Sequence, residues 1–295
     1  MNIQHLNIFC KVYENKSISK VASLEYISQP AVTKVIKKME ENYNTLLFNR
    51  ERGRIIPTES GEKLYSLAKQ ITEMYKLSLD IIQHKKTQDT LLRIGASYTI
   101  GDYLLPEIIN KFSVLYPTHK FNILISNTPK IISQLDNYEI DIALVESNFN
   151  GEGFKSKIFA QDDLIIVIPS DHHFDNGSEI NLYDLKNEQM IWRELESGTR
   201  VVIENELKKC GILNEITSFL ELGSIESIKK SVEVGLGISI LPRISVVDEL
   251  KYGTIKFVYC KDLLLTRNLF AVQKPTRFER EGVTNFLSFL QSNYF

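Results

Sequence analysis

The sequence contains few cysteines and no long hydrophobic run. Its three cysteines, Cys10, Cys210 and Cys260, are widely spaced and match no metal-binding or disulfide motif. We therefore expect buried free thiols and a reducing, cytoplasmic location. The absence of any stretch of about 18 apolar residues argues against a membrane-spanning helix. The first residues also lack the basic and apolar segments of a secretory signal.

Basic charge is concentrated at the start of the chain. Residues 1–58 contain nine Lys and Arg against five Asp and Glu, whereas the remaining residues contain 26 against 32. The first part therefore carries +4 and the remainder −6, which together give the overall net charge of −2. A basic segment joined to an acidic body predicts that only the first part contacts nucleic acid.

The basic segment has the pattern of a helix-turn-helix unit. Apolar residues at helical spacing predict a first helix over residues 3–16, and Ser17 or Ser19 caps a short second helix. Ser28 caps a third helix, which tolerates Pro30 in its first turn and ends at Asn44 in a left-handed conformation. The predicted buried face of this third helix consists of Val32, Ile36, Met39 and Tyr43.

A wing and a long helix are expected next. Residues 46–57 predict two short strands around a basic tip that contains Arg50, Arg52 and Arg54. Thr58 then caps a helix that extends to about Lys86. Its apolar seam, at a spacing near 3.5 residues, comprises Leu64, Ala68, Ile71, Tyr75 and Ile82. Such a seam favours pairing with a second copy of the helix, and the alternative is packing against its own chain.

From Leu91 onward, strands alternate with helices, which predicts doubly wound α/β sheets with parallel strands. The predicted strands are residues 91–96, 121–126, 140–145, 164–168, 189–193, 217–222, 237–241 and 266–273. The predicted domains are residues 1–58, the linker helix and hinge at 59–87, and a regulatory domain at 88–295. Within the last, subdomain I spans about 91–162 plus 268–295, and subdomain II spans about 163–267.

Small hydroxyl residues follow several of these strands where helices begin. Free N–H groups at helix starts, together with hydroxyl donors, form anion sites, and doubly wound sheets bind ligands at these strand ends. Arg200 adds a fork-shaped donor for an oxyanion. The alternative is that the hydroxyls are only helix caps and Arg200 a structural ion pair. The candidate ligand-binding residues are Ser97, Tyr98, Thr99, Asn127, Glu146, Ser197, Thr199, Arg200 and Ser224.

Several short strings together carry a family resemblance. They are Ser28-Gln29-Pro30-Ala31-Val32 with Glu40-Glu41, Leu47-Phe48 with Arg50, Pro57-Thr58 to Gly61, Gly95-Ala96-Ser97, Ile140-Asp141-Ile142-Ala143, and Gly235-Leu236-Gly237-Ile238 with Leu241-Pro242. Along essentially its whole length the chain resembles LysR-type transcriptional regulators. Residues 192–200 and 223–226 are similar to segments of the sulfur-assimilation and carbon-fixation regulators in that family, although Leu195-Glu196 replaces a frequent Pro-Gly pair.

The resemblance implies a winged helix-turn-helix, a linker helix and a two-subdomain effector domain of periplasmic-binding-protein type. It also implies homotetramers built from paired dimers. Such a protein binds double-stranded promoter DNA of dyad symmetry, responds to a small effector, here expected to be anionic, and contacts RNA polymerase if it activates. Val35 departs from the family pattern, because it has no group that hydrogen-bonds a base edge. The candidate DNA contacts are Ser28, Gln29, Pro30, Thr33, Lys34, Lys37, Arg50, Arg52 and Arg54.

Other functions are disfavoured. The run from Asp171 to Asp175 contains two adjacent histidines, but no second cluster supports a metal site there. Gly235-Leu236-Gly237 follows a helix and precedes a strand, the reverse of a dinucleotide-binding loop. No catalytic constellation can be assembled, so we expect neither an enzyme nor a bound cofactor. A transporter's solute-binding protein is disfavoured by the missing signal and by the basic first segment.

Overall fold

The computed structural model describes residues 1–51, 54–82, 90–146, 153–263, 265–275 and 280–294. The chain divides into two compact units. The first comprises Met1–Gln88 with Asp136–Glu139, and the second comprises Asp89–Leu135 with Ile140–Phe295. None of the helices among the described residues combines the length and apolar character that crossing a membrane requires.

The first unit contains the predicted helix-turn-helix and wing. Its elements are α1 (Ile3–Asn15), α2 (Ile18–Leu24), α3 (Gln29–Tyr43), β1 (Phe48–Glu51), β2 (Arg54–Pro57) and α4 (Glu59–Ile82). The predicted caps are confirmed: Ser17 Oγ accepts a hydrogen bond from Lys20 N, and Ser28 Oγ accepts one from Ala31 N. Asn44 ends α3 with φ +50°, the left-handed conformation that asparagine tolerates.

The core of this unit is formed where α1, α2 and α3 meet. Phe9, Val21, Val32 and Met39 are fully buried in it, and burial raises the pKa of the neighbouring Cys10 thiol to about 12. Tyr43 differs from the prediction: it is the last residue of α3, and its side chain is exposed. Helical periodicity identifies the face of a helix but not where the core beneath it ends.

Side-chain hydrogen bonds fasten α3 and α4 to the strand between them. Glu40 Oε1 accepts from the N–H groups of Leu47 and Phe48 at 2.9 and 3.3 Å. Thr58 donates to the Leu46 carbonyl and also caps α4 by accepting from Gly61 N at 3.0 Å. The backbone of α4 also passes so close to the residue before β1 that a Cβ at Gly61 would lie 2.2 Å from the Leu47 oxygen.

The apolar surface of α4 divides into two faces. Ala68 is fully buried and Leu64 packs against the core of the first unit, so these two residues serve the chain's own fold. The exposed apolar residues of α4 lie on another face: Leu67, Ile71, Met74, Tyr75, Leu79 and Ile82. The predicted seam was therefore wrong at its first two residues, Leu64 and Ala68, which are not available to a partner helix. We call this exposed set the α4 seam.

The second unit is an α/β structure. Its strands are β3 (Leu91–Ala96), β4 (Lys120–Ile125), β5 (Ile142–Val145), β6 (Lys155–Pro169), β7 (Glu179–Ile180), β8 (Gln189–Arg193), β9 (Thr217–Leu222), β10 (Ser239–Pro242), β11 (Ile255–Cys260) and β12 (Thr266–Gln273). Its helices are α5 (Leu105–Leu115), α6 (Thr128–Asp136), α7 (Gly198–Lys209), α8 (Ile225–Glu233), α9 (Val247–Tyr252) and α10 (Glu281–Tyr294). A π-helical turn, Ile100–Leu104, precedes α5.

The strands form two lobes that share β6. In the first lobe β3 lies parallel to β4 and β5, and β12 lies antiparallel between β5 and the first half of β6. In the second lobe the last part of β6 pairs antiparallel with β10 and β11. Separate apolar cores lie in the two lobes.

The sheets are therefore mixed, whereas the alternation of strands and helices predicted parallel strands. Strands β6 and β12 pair with each other in opposite directions, because one carries the chain out of the first lobe and the other returns it. The prediction also omitted β11, the two-residue β7, and the first half of β6, in which polar and apolar residues mix.

We expect Gly61→Ala to destabilise the first unit by roughly 1–3 kcal/mol, because the new methyl group would overlap the Leu47 carbonyl oxygen. Calorimetric unfolding of the full chain measures the effect. Gly223→Ala is the control, since a Cβ there meets no atom within 4 Å. Equal transition temperatures for the two variants would contradict the prediction.

Candidate nucleic-acid interface and ligand pocket

One exposed face of α3 carries the polar residues expected to contact DNA. Its residues recur three and four positions apart, so they lie along one side of the helix. They are Gln29, Pro30, Thr33, Lys34, Lys37, Lys38 and Glu41, all of them polar except Pro30. Ser28 is exposed at the start of this face, where it caps the helix. The face thus presents three lysines and an amide, a set suited to phosphates and base edges.

The wing arginines lie largely outside the described part of the chain. Strands β1 and β2 pair in the predicted antiparallel hairpin. Arg52 is not among the described residues, and for Arg50 and Arg54 only the backbone is described. Their predicted contacts with DNA remain predictions.

Tyr26 is a feature that the sequence did not single out. It lies in the turn before α3, has a left-handed φ of +55° and exposes 96% of its side chain. The turn closes through a hydrogen bond from Ile27 N to the Ala22 carbonyl. A large aromatic residue beside the start of α3 is an additional candidate for contact with DNA.

Among the described elements of the second unit, three helix N-termini meet at one small pocket between the lobes. One begins at residue 98, where two helical residues lead into the π-helical turn Ile100–Leu104, and the other two are the starts of α6 and α7 at residues 128 and 198. The cavity that the pocket encloses in this structure is only about 10 Å³, which is room for about one water molecule and far below the range of about 300–1,000 Å³ usual for ligand sites. Its lining consists of Ser97, Tyr98, Thr99, Asn127, Thr128, Glu146, Arg193, Glu194, Ser197, Gly198 and Thr199.

Seven of the nine predicted ligand-binding residues therefore lie together. Ser97 and Thr99 are 3% and 1% exposed, and neither hydroxyl has a hydrogen-bond partner within the described chain. Leaving a buried hydroxyl unpaired is costly, about 1–3 kcal/mol each. First-turn N–H groups of a helix also have no partner inside the helix and carry partial positive charge. These groups together make the pocket a set of donors for an anionic group.

Arg200 and Ser224 do not line the pocket. Arg200 donates to Glu204 Oε1 and Glu221 Oε2, each at 2.6 Å, and to the Arg193 carbonyl at 2.8 Å. Burial acts to lower the pKa of Arg200, but its two carboxylate partners outweigh that effect and hold the pKa above its ordinary value. Ser224 Oγ is exposed and caps α8 by accepting from Ser227 N. These contacts favour the alternative interpretation, in which Ser224 is only a helix cap and Arg200 forms structural ion pairs.

Arg193 lines the pocket, although the sequence did not suggest it as a ligand-binding residue. It is nearly fully buried and donates twice to Glu194, at 2.8 and 2.9 Å. Its guanidinium also lies 6.0 Å from the centre of the Tyr98 ring. The sequence does contain one indication of this role, because Arg193 is the last residue of a predicted strand and lies just before Ser197 and Thr199.

A buried arginine lies behind the pocket. Arg267 donates twice to Asp162 Oδ2, at 3.0 and 2.7 Å, and once to Thr199 Oγ1 at 2.8 Å. Glu146 Oε1 lies 3.8 Å from the same guanidinium. Burial raises the pKa of Asp162, whereas Arg267 acts to lower it. Thr199, in the first turn of α7, is consequently held by a charged network as well as by the helix itself.

Polar contacts join the two lobes around this pocket. Asn127 Nδ2, from the first lobe, donates to Glu196 Oε2 of the second at 2.6 Å. Tyr103 Oη donates to Glu226 Oε1 at 2.6 Å, and the Tyr103 ring packs against the core of the second lobe. The pocket therefore lies where the relative position of the lobes is fixed by a few specific contacts.

The two adjacent histidines, His172 and His173, lie close to a glutamate. Their rings stack at 4.3 Å, and a ligand atom from each of His172, His173 and Glu188 lies within 4.8 Å of the others. His172 Nε2 is 3.3 Å from Glu188 Oε2, while His172 Nδ1 accepts from Phe174 N. Both nitrogens of His172 already have partners, and the prediction of no metal stays a prediction.

Comparison with known proteins identifies two segments of the chain, one that contains the helix-turn-helix and one that contains the two lobes. Residues 3–62 match the family model "Bacterial regulatory helix-turn-helix protein, lysR family", and residues 85–294 match "LysR substrate binding domain". The chain is 31% identical over 290 residues to the HTH-type transcriptional regulator CysL of Bacillus subtilis, covering 98% of this chain and 96% of that protein. It is 31% identical to a probable RuBisCO transcriptional regulator of Emiliania huxleyi, covering 96% and 92%.

A solved structure extends the likeness to the whole fold. CbnR, a LysR family transcriptional regulator solved full-length in complex with its target DNA, superposes with a TM-score of 0.72 at 19% identity, covering 99% of both chains. The family is one of regulators and not of enzymes. The chain belongs to the LysR family of DNA-binding transcriptional regulators, with a helix-turn-helix domain and an effector-binding domain.

Proposed function

We propose that this regulator binds a promoter of dyad symmetry and responds to a small anionic effector held between the two lobes. One observation carries the effector half of the proposal. Helix N-termini from both lobes converge on buried hydroxyls of Ser97 and Thr99 that have no partner in the described chain. An anion that accepts from these groups would contact both lobes at once.

The DNA half rests on the exposed face of α3. Gln29 is suited to a bidentate contact with adenine, and Lys34 to a guanine or a phosphate. Ser28 and Thr33 suit phosphate contacts near the start of the helix, Lys37 suits the backbone further along it, and Pro30 starts the helix. In a symmetric dimer, two such faces would enter successive major grooves, which favours a dyad-symmetric site.

The α4 seam supports self-association. Six large apolar side chains are exposed along one helix, with Ile82 exposed by 76%. A single apolar stripe of this kind is stabilised by a partner helix. We propose a homodimer through this seam and, from the family resemblance, a homotetramer of paired dimers in the cytoplasm.

Effector binding would act through the contacts between the lobes. A ligand that binds one arrangement of the lobes better than another shifts the population toward it. In an oligomer this shift would change the spacing of the DNA-binding units, and with it the bending of the promoter. If the protein activates transcription, RNA polymerase is the partner that senses this change.

We expect Gln29→Ala to weaken binding to the promoter by about 10- to 100-fold, because a bidentate base contact discriminates by about 1–3 kcal/mol. Binding to a scrambled duplex should change little. Fluorescence anisotropy at fixed salt measures both affinities. Lys37→Ala is the control, since loss of a phosphate contact weakens both duplexes equally. A uniform loss for Gln29→Ala would mean that Gln29 contacts only the backbone.

We expect Thr99→Val to abolish the anion-induced rise in melting temperature without lowering the stability of the ligand-free protein. The substitution keeps the side-chain volume and removes a hydroxyl that has no partner in the described chain. Thermal unfolding of the full chain with short monocarboxylates measures the effect. Thr217→Val, at an exposed position of β9, should respond like the wild type. An unchanged response in Thr99→Val would place the ligand elsewhere.

We expect Met74→Glu to dissociate the dimer, because it puts a charge into the centre of the α4 seam. Light scattering across a range of concentrations measures the mass. Lys63→Glu is the control, since Lys63 lies at an exposed, charged position of the same helix. A dimer that persists in Met74→Glu would locate the interface on another surface.

A further inference from the structure

The ligand pocket contains a carboxylate that would repel a bound anion. Glu146 is 5% exposed, lines the pocket and contacts Thr128 Oγ1 at 3.4 Å. It also faces the first turn of α7, because a Cβ at Gly198 would lie 3.3 Å from Glu146 Oε2. The side chain is thus on the same surface as the hydroxyls of Ser97 and Thr99.

The cations near Glu146 are engaged with other carboxylates. Arg267 binds Asp162 at 2.7 Å and lies at the longer distance of 3.8 Å from Glu146. Arg193 forms its two hydrogen bonds with Glu194. Among the described charged groups of the pocket and the network behind it, two arginines therefore face three carboxylates, those of Glu146, Asp162 and Glu194.

A divalent oxyanion in this pocket would meet the helix N-termini on one side and Glu146 on the other. Like charges a few ångströms apart in a partly buried site repel each other. This repulsion would offset much of the binding free energy that the helix N-termini contribute. A buried carboxylate is instead stabilised by a cation that pairs with it. The cavity is also small, about 10 Å³, so any ligand larger than a water molecule requires the lobes to move apart, and a small ligand requires the least movement.

We propose that the effector is a small zwitterion, of the amino-acid class, whose anionic group binds the helix N-termini with Ser97 and Thr99 and whose ammonium group binds Glu146. This inference rests on the proposed function, because it assumes that the anion occupies that pocket. It assigns Glu146 a specificity-determining role: the residue accepts molecules that carry an ammonium group and rejects simple dianions.

The test compares probes that share a three-carbon skeleton. L-serine carries the ammonium group, glycerate replaces it with a hydroxyl, and 3-hydroxypropanoate replaces it with hydrogen; sulfate is the dianion. Isothermal titration calorimetry of the full chain at constant ionic strength gives each affinity. Wild-type protein should bind L-serine at least tenfold more tightly than the other three probes.

Substitution of Glu146 provides the decisive comparison. Glu146→Gln, which has the same shape, should lose the preference for L-serine and gain at least tenfold in affinity for sulfate. Glu146→Asp keeps the charge and should keep the preference, which guards against an effect of misfolding. Glu206→Gln, a surface position paired with Lys209, should match the wild type.

Other results would overturn the inference. Glycerate or sulfate binding to the wild type as tightly as L-serine, or a preference for L-serine that survives in Glu146→Gln, would remove the role of Glu146. If sulfate then still binds and Thr99→Val abolishes that binding, the anion pocket of the proposed function stands without the zwitterion. Absence of binding by every probe to every variant would overturn both.

Discussion

The buried ion pair between Arg267 and Asp162 is the interaction on which the effector-binding unit depends. The two residues are directly opposite in the antiparallel pairing of β12 with β6, the strands that connect the lobes. Removing one partner of such a pair leaves an uncompensated buried charge, at a cost of about 3–5 kcal/mol. Because Arg267 also donates to Thr199, the same guanidinium fixes the start of α7 against the crossing strands. The position of the pocket wall is thereby set by the connection between the lobes.

Local patterns predicted the first unit well. Caps at Ser17, Ser28 and Thr58 and the left-handed end at Asn44 follow from side-chain chemistry that acts within a few residues. The α4 seam was only partly predicted, because helical spacing gives the apolar faces of a helix without saying which of them the rest of the chain covers. Leu64 and Ala68 turned out to face the core of their own unit.

The sequence predicted the hydroxyl residues of the pocket but not the arrangement of the charged residues around it. Ser97, Thr99 and Thr199 could be found because each follows a strand at the start of a helix, a local signal. Arg267 lies about 70 residues from Thr199 along the chain, and only the pairing of β6 with β12 brings it beside Asp162. The same limit explains Arg200, whose fork of donors suggested an anion but is occupied by Glu204 and Glu221. Long-range pairing decides which charged side chains are already engaged, and the sequence alone carries no such information.

The contact between Asn127 and Glu196 has a consequence for how much effector the protein needs. The two side chains come from opposite lobes, and Asn127 also lines the pocket. In the proposed site, an effector that accepts from the same Asn127 N–H would compete with Glu196, so the chain supplies its own competitor for that donor. The concentration at which the regulator responds would then be set partly by a surface glutamate and not only by the pocket. Change at the single position Glu196 would let evolution reset that threshold while the lining of the pocket, and hence the choice of ligand, stays the same.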